Sequence, residues 1–347
     1  MRHQQRPTGR RGGSRVLAPA LVAAPLAFLS FGQSANALTI NVTYDSSITT
    51  DPNAAAIEGT IMNDVNALET YIANPVQVNL TFQEGTTGLG GSSTFIGDLP
   101  YTDYVNDLKT KQTVSADDTT AIASLGVSTN NPVNGNADVQ ITEALARALG
   151  ETGEPANTTD PDSTITFNKT IVNDSRTGPQ VNGNYDLQSV LAHEMDEALG
   201  TGGTGSTLES GGSVTGPVGP LDLYRYSAPG TRSYSTAALA SNPYFSIDGG
   251  LTDLVHFNQT TVGDYADWGN PGTPEQEGNI PPQVQDAFGS PNQEPNLGQN
   301  EMIALDVVGW NLTPAGTLLE EGVVPEPATL GMIGLGVCGL LVRRRRR

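Results

Sequence analysis

Cysteine is almost missing from this 347-residue chain: the single one, Cys338, stands within the last ten residues. No disulfide can staple the fold, and neither a thiolate metal site nor a cysteine nucleophile is open to it. Histidine is nearly as scarce. Only His3, His193 and His256 occur, so imidazole chemistry rests on very few positions. Basic residues are also few, 17 against 37 acidic ones, and they are unevenly placed. Five Arg fall in residues 1–15 and five in residues 343–347, which leaves 7 basic residues against 37 acidic ones over residues 38–342, a formal charge of about −30. Such a surface repels phosphate backbones and anionic headgroups, which excludes nucleic acid as a partner, while it favours divalent cations.

Both ends have the composition of processing signals. Arg-rich residues 1–15 carry no acid, Val16 to Gly32 is mostly apolar, and Ala35-Asn36-Ala37 offers an A-x-A cleavage site, so residues 1–37 read as a secretory signal peptide. At the other end Val324-Pro325-Glu326-Pro327 is followed by an apolar run, Ala328 to Val342, and five Arg. This order resembles the PEP-CTERM sorting tail of exopolysaccharide-producing bacteria. The resemblance implies an exported, surface-sorted protein whose residues 319–347 act as a tail cut by a sorting protease. The apolar run is 15 residues, shorter than the about 20 of a comfortable membrane helix, which suits transient membrane anchorage before cleavage.

Between these ends, residues 38–318 form the expected folded domain. Its most informative stretch is Tyr185 to Gly200, YDLQSVLAHEMDEALG. Leu187, Val190, Leu191, Ala198 and Leu199 fall at helical spacing, Asp186 is placed to cap the start, and Gly200 to end it. Residues four apart share a helix face, so His193 and Glu197 can address one metal ion while Glu194, on the adjoining face, reaches its water. The run resembles the active-site helix of zincin metalloproteases, whose metzincin pattern is HExxHxxGxxH. His193, Glu194 and Gly200 match. Glu197 stands in the place of the second His, and Gly203 in the place of the third ligand.

The segments PLDLYRYSAPG (220–230), YFSIDGG (244–250) and ALDVVGW (304–310) extend the resemblance to bacterial secreted metalloproteases with an HExxE helix. It implies an α+β, zincin-like fold: a twisted mixed sheet packed on helices, with the active-site helix and an irregular lower lobe. It also implies one Zn2+ ion and a peptide or protein substrate. A catalytic zinc site needs three protein ligands and a water. The residues leave two candidates for the third: Asp222, just beyond a Gly-rich segment, and His256 in LVHFN; the resemblance favours Asp222. Glu194 is the expected general base, and Tyr224 or Tyr226 the candidate oxyanion donor. One His with two carboxylates is a harder donor set than three His, so weaker zinc binding and some metal promiscuity are expected.

The rest of the chain supplies the scaffold. Alternation over Leu38 to Asp45, helical spacing at Ile57, Ile61, Val65, Leu68 and Ile72, and alternation from Val76 to Phe82 predict strand, helix and strand. Gly85 to Gly97 reads as a connection, and Tyr101 to Lys111, Ala116 to Leu125 and Ala137 to Leu149 as three helices. Ser163 to Val172 reads as a strand which, by the resemblance, lies along the cleft and pairs with substrate. Glu301 to Val308 reads as a last helix. Asp-rich turns at Asp160 to Asp162, Asp248 to Gly250 and Gly263 to Asp267 are candidate Ca2+ loops, although none has the twelve-residue spacing. The expected function is an exported zinc peptidase; the alternative is a non-catalytic surface or exopolysaccharide-matrix protein on a degenerate zincin scaffold.

Overall fold

The computed structural model describes residues 38–112, 114–151, 160–208, 216–234, 236, 242–271, 273 and 280–323. The expected signal peptide and the apolar part of the sorting tail lie outside the described residues.

Strand β1 (Thr39–Tyr44) pairs in parallel with β2 (Gln77–Gly85), from Thr39 opposite Gln77 to Tyr44 opposite Phe82. Between them come a short helix α1 (Ser46–Thr49), capped by Asp45, and the long helix α2 (Ala54–Tyr71). Ile57, Ile61, Val65 and Leu68 recur every three or four residues and are buried, as are the alternating Val78, Leu80 and Phe82 of β2. That pairing of periods makes helix and strand pack as one layer on another. Strand β3 (Gly90–Thr94) then runs antiparallel to β6 (Ser163–Asn168), and β6 runs parallel to β2, giving the sheet order β1-β2-β6-β3.

Three expectations from the sequence differ from the structure. The Gly/Ser/Thr-rich connection contains β3 and also β4 (Ile96–Pro100), which pairs with β5 (Asp138–Thr142). The expected cleft strand, β6, is paired on both sides and has no free edge; β3 is the edge. Helices α3 (Tyr101–Thr110) and α4 (Ala116–Leu125) form as expected, α4 with Ser115 and Asp118 in a reciprocal capping box. The third expected helix divides: Val139 and Ile141 alternate into β5, and Thr142 caps a shorter α5 (Glu143–Ala148).

A two-residue parallel pair, β7 (Val172–Asn173) with β8 (Tyr185–Asp186), leads directly into α6 (Leu187–Ala198). Asp186 accepts from Ser189 N–H at 2.9 Å and from Arg176 Nη2 at 2.7 Å, so one carboxylate caps the helix and holds the preceding loop. Gly200, at φ +102°, ends it. Beyond lie two 3-10 turns, Gly202–Gly205 and Leu221–Tyr224, and a small sheet of β9 (Arg225–Ala228), β10 (Thr231–Arg232), β11 (Tyr244–Phe245) and β12 (Val255–His256). Helix α7 (Gln299–Val308) is buried from Glu301 onward, and Trp310 Nε1 donates to the Leu199 carbonyl at 2.9 Å, tying its end to the end of α6. A further helix, α8 (Pro314–Glu320), crosses the expected domain boundary at residue 318 and packs on α2 and α7. The chain is a mixed α+β protein.

Helices α4, α7 and α8 meet around three buried acids, Asp118, Asp306 and Glu320. Burial, with Asp118 next, pushes Asp306 up to about 9; burial also pushes Glu320 to about 7 and Asp118 to about 6. Acids raised in the folded state favour folding while they stay protonated, so their contribution is greatest below their unfolded pKa of about 4 and declines as pH rises toward about 9. Chemical denaturation across that range should show falling stability, and Asp306→Asn should flatten the slope. A slope unchanged in the variant would remove Asp306 from this account.

Candidate metal centre

His193, Glu194 and Glu197 lie on α6, at the base of a cleft of about 480 Å3. The opposite wall is β3, with Gly90, Gly91 and Ser92, and the third side is built from Gly263 to Asp267 and Val284 to Gly289. His193 Nδ1 donates to the Val284 carbonyl at 2.9 Å, which leaves Nε2 as the ring nitrogen turned toward the cleft. Nε2 stands 3.7 Å from Glu197 Oε1 and 3.7 Å from Asp267 Oδ2. The three ligand atoms all lie within 4.8 Å of one another. Atoms about 2.0–2.2 Å from a shared ion are about 3.3–3.6 Å apart at tetrahedral angles, so both His193 separations lie close to what a shared divalent cation requires.

Each member is set by tertiary packing. Glu197 Oε2 accepts from Ser92 Oγ of β3 at 2.5 Å, and Oε1 from Gly203 N–H at 3.0 Å. Asp267 is delivered by Trp268, which is fully buried, stacks on Phe245 and donates from Nε1 to Glu301 Oε1 at 3.0 Å. Backbone bonds from Asn258 to Asp267 and from Trp268 to Gln285 clamp the segment on both sides. Glycine permits the close approaches. A Cβ at Gly203 would meet Glu197 Oε1 and Asp264, and one at Gly90 would meet Glu194 Oε1 and Val190. At position 203, where the pattern expected from the sequence would place a third ligand, the missing side chain leaves room for the carboxylates of Glu197 and Asp264.

The remaining expected residues are placed elsewhere. Asp222, the favoured third ligand, is buried on its 3-10 turn and accepts from Ser206 Oγ at 2.6 Å, Thr207 N–H at 3.0 Å and Gly219 N–H at 3.0 Å. Three donors engage it in fastening the Gly-rich segment, and Asp267 takes the place beside His193. The alternative, His256, lies in β12, where Nε2 pairs with Asp253 at 2.8 Å. Tyr224 donates to the Val307 carbonyl at 3.3 Å, and Tyr226 accepts from Arg232 at 2.5 Å; neither lines the cleft. The sequence offered one sign of Asp267, its Gly/Asp-rich turn, which suggested Ca2+ rather than partnership with His193.

The electrostatics suit a cation. Burial opposes a charged His193, but Asp267, Glu197 and Glu194 together outweigh it and push its pKa well above the ordinary value. Burial also opposes ionised Glu197, yet His193, Ser92 and the Gly203 N–H hold its carboxyl below the usual range. Glu194 is pushed well up, by burial first and then by Glu197. The donor set of one imidazole and two carboxylates fits a divalent transition ion or a harder cation; it does not single out zinc or calcium.

Residues 323–347 match the family model for the PEP-CTERM protein-sorting motif, which marks an exported protein sorted to the cell envelope and processed at this tail by an exosortase. No curated protein and no solved structure matches the chain. Among the described residues no helix is long and apolar enough to cross a membrane.

A cation binds the deprotonated ring of His193, whose pKa the surrounding carboxylates raise, so metal binding should release protons and strengthen as pH rises. Calorimetric titration in buffers of different ionisation enthalpy measures this. Buffer-independent heats would mean that His193 is already neutral.

Proposed function

We propose that this protein is an exported metal-dependent peptidase of the zincin type, acting at the cell surface or in the surrounding matrix. The observation that carries the reading is the convergence of His193, Glu197 and Asp267 beneath a cleft that also contains Glu194. His193, Glu197 and Asp267 would hold the ion, and the fit is supported by their separations and by the single ring nitrogen that His193 turns toward them. Bound there, a divalent ion supplies Lewis acidity, polarising a scissile carbonyl and acidifying water.

Glu194 is the general base. It lies one residue from His193 on α6, it is 6% exposed, and burial raises its proton affinity, which suits a group that takes a proton from water and returns it to a leaving amine. Gly90, without a side chain, lets the edge strand pass close to the Glu194 carboxyl. Among the described residues the outer edge of β3 carries no partner strand, so an extended peptide can add to it by main-chain hydrogen bonds and bring a peptide bond over Glu194. That role, expected for β6 from the sequence, passes to β3.

Tyr224 and Tyr226 are engaged outside the cleft and take no part in this scheme. The sorting tail supports the cellular setting, and the acidic composition suits an exported soluble domain.

Glu194→Gln should keep metal at the parent's stoichiometry and lose about 100-fold or more of the cleavage rate on a peptide library. His193→Ala should lose the metal itself, as measured by elemental analysis after dialysis. A Glu194→Gln protein that digests as fast as the parent ends the general-base assignment, and a parent that binds metal without cutting any peptide favours the matrix-scaffold alternative.

A further inference from the structure

Beside the trio sits a buried amide with one polar atom unsatisfied. Gln285 is 1% exposed, and its backbone is held on both sides: its N–H donates to Glu301 Oε1 at 3.3 Å, and its carbonyl accepts from Trp268 N–H at 2.8 Å. The side chain therefore has little freedom of position. Its Nε2 lies 3.2 Å from His193 Nε2 and donates to Asp267 Oδ1 at 3.1 Å. Its Oε1 is buried and has no hydrogen-bond partner. A buried carbonyl oxygen with no donor carries a desolvation penalty that a native site seldom leaves unanswered.

The arrangement makes sense as one of two states of the same amide. Without a cation, the NH2 group donates to the Asp267 carboxylate and lies against the His193 ring. With a cation among His193, Glu197 and Asp267, that NH2 group faces like charge and the orphaned oxygen is the preferred end. A half-turn about the last side-chain torsion exchanges nitrogen and oxygen with little movement of other atoms. Gly202 provides the room, since a Cβ there would collide with the Gln285 amide.

We propose that Gln285 is a fourth protein ligand, bound through Oε1 after this half-turn, and that the centre is built from one nitrogen and three oxygens. The inference rests on the metal-binding reading above and adds a ligand absent from the HExxH pattern. Four protein ligands fill a tetrahedral shell, so an ion that keeps a place for water here is at least five-coordinate. The set therefore favours ions of flexible geometry and oxygen preference, such as Mn2+ or Co2+, relative to a three-imidazole site.

Cobalt(II) added to the full chain reads both affinity and coordination number, because four-coordinate Co2+ absorbs strongly in the visible and five- or six-coordinate Co2+ weakly. The parent should bind with weak bands. Gln285→Ala should bind about tenfold or more weakly and with stronger bands, as one ligand is lost. Gln285→Glu, which keeps an oxygen at the same reach, should restore weak bands and much of the affinity, guarding against a simple loss of folding in the alanine variant. Weaker binding with an unchanged spectrum in Gln285→Ala would mean that the amide only hydrogen-bonds the ligands, and would overturn the proposal while leaving the three-residue centre standing. A parent that binds no Co2+, Mn2+ or Zn2+ would overturn the centre itself.

Discussion

Three buried carboxyl groups, Glu194, Glu197 and Asp267, gather around one imidazole at the base of the cleft, with Asp264 exposed beside them, and the field of His193 favours the charged form of each. Burying that much like charge is costly in a medium of low dielectric. The molecule meets the cost in three ways: protons on the raised acids, hydrogen bonds from Ser92 and Gly203 to Glu197, and the Gln285 amide laid against His193 and Asp267. A divalent cation would answer the same demand in one step. The cluster is thus intelligible as a centre whose proton-loaded and cation-loaded forms exchange.

The scaffold is arranged to keep these groups from separating. Trp268 and Trp310 anchor two ends of the arrangement, one beneath Asp267 and one at the last turn of α6. Both indole N–H groups reach buried acceptors, so each large ring is packed without leaving a polar atom unpaired. Asp222 contributes from a distance. By gathering Ser206, Thr207 and Gly219 it fastens the chain just after Gly202 and Gly203, where the backbone passes closest to Glu197 and Gln285. A residue that the sequence offered as a ligand instead helps to hold the surroundings of Glu197 and Gln285 in place.

Export shapes the chemistry as well. The PEP-CTERM tail sends the chain to the envelope, and the domain between the two ends is free of cysteine and strongly acidic. Stability there depends on packing and on buried carboxyls that remain protonated, as at Asp306, rather than on covalent links. The same acidity that repels polyanions raises the local concentration of cations near the cleft.

What the sequence determined by itself is whatever depends on near neighbours. The period of three to four in α2 and α6, the alternation of β1 and β2, the caps at Asp186 and Gly200, and the i, i+4 placement of His193 and Glu197 all follow from local geometry. Tertiary structure decided the rest. Strand β3, made of Gly, Ser and Thr, has no hydrophobic alternation to announce it and exists because β6 offers it a partner. Asp267 and Gln285 are distant along the chain from α6, and no spacing rule links them to it; they arrive because Trp268 and the 258–287 backbone bonds close a loop whose outcome depends on packing. Side chains one turn apart on a helix meet by the helix's own geometry, whereas side chains from separate loops meet only when the whole core has formed around them.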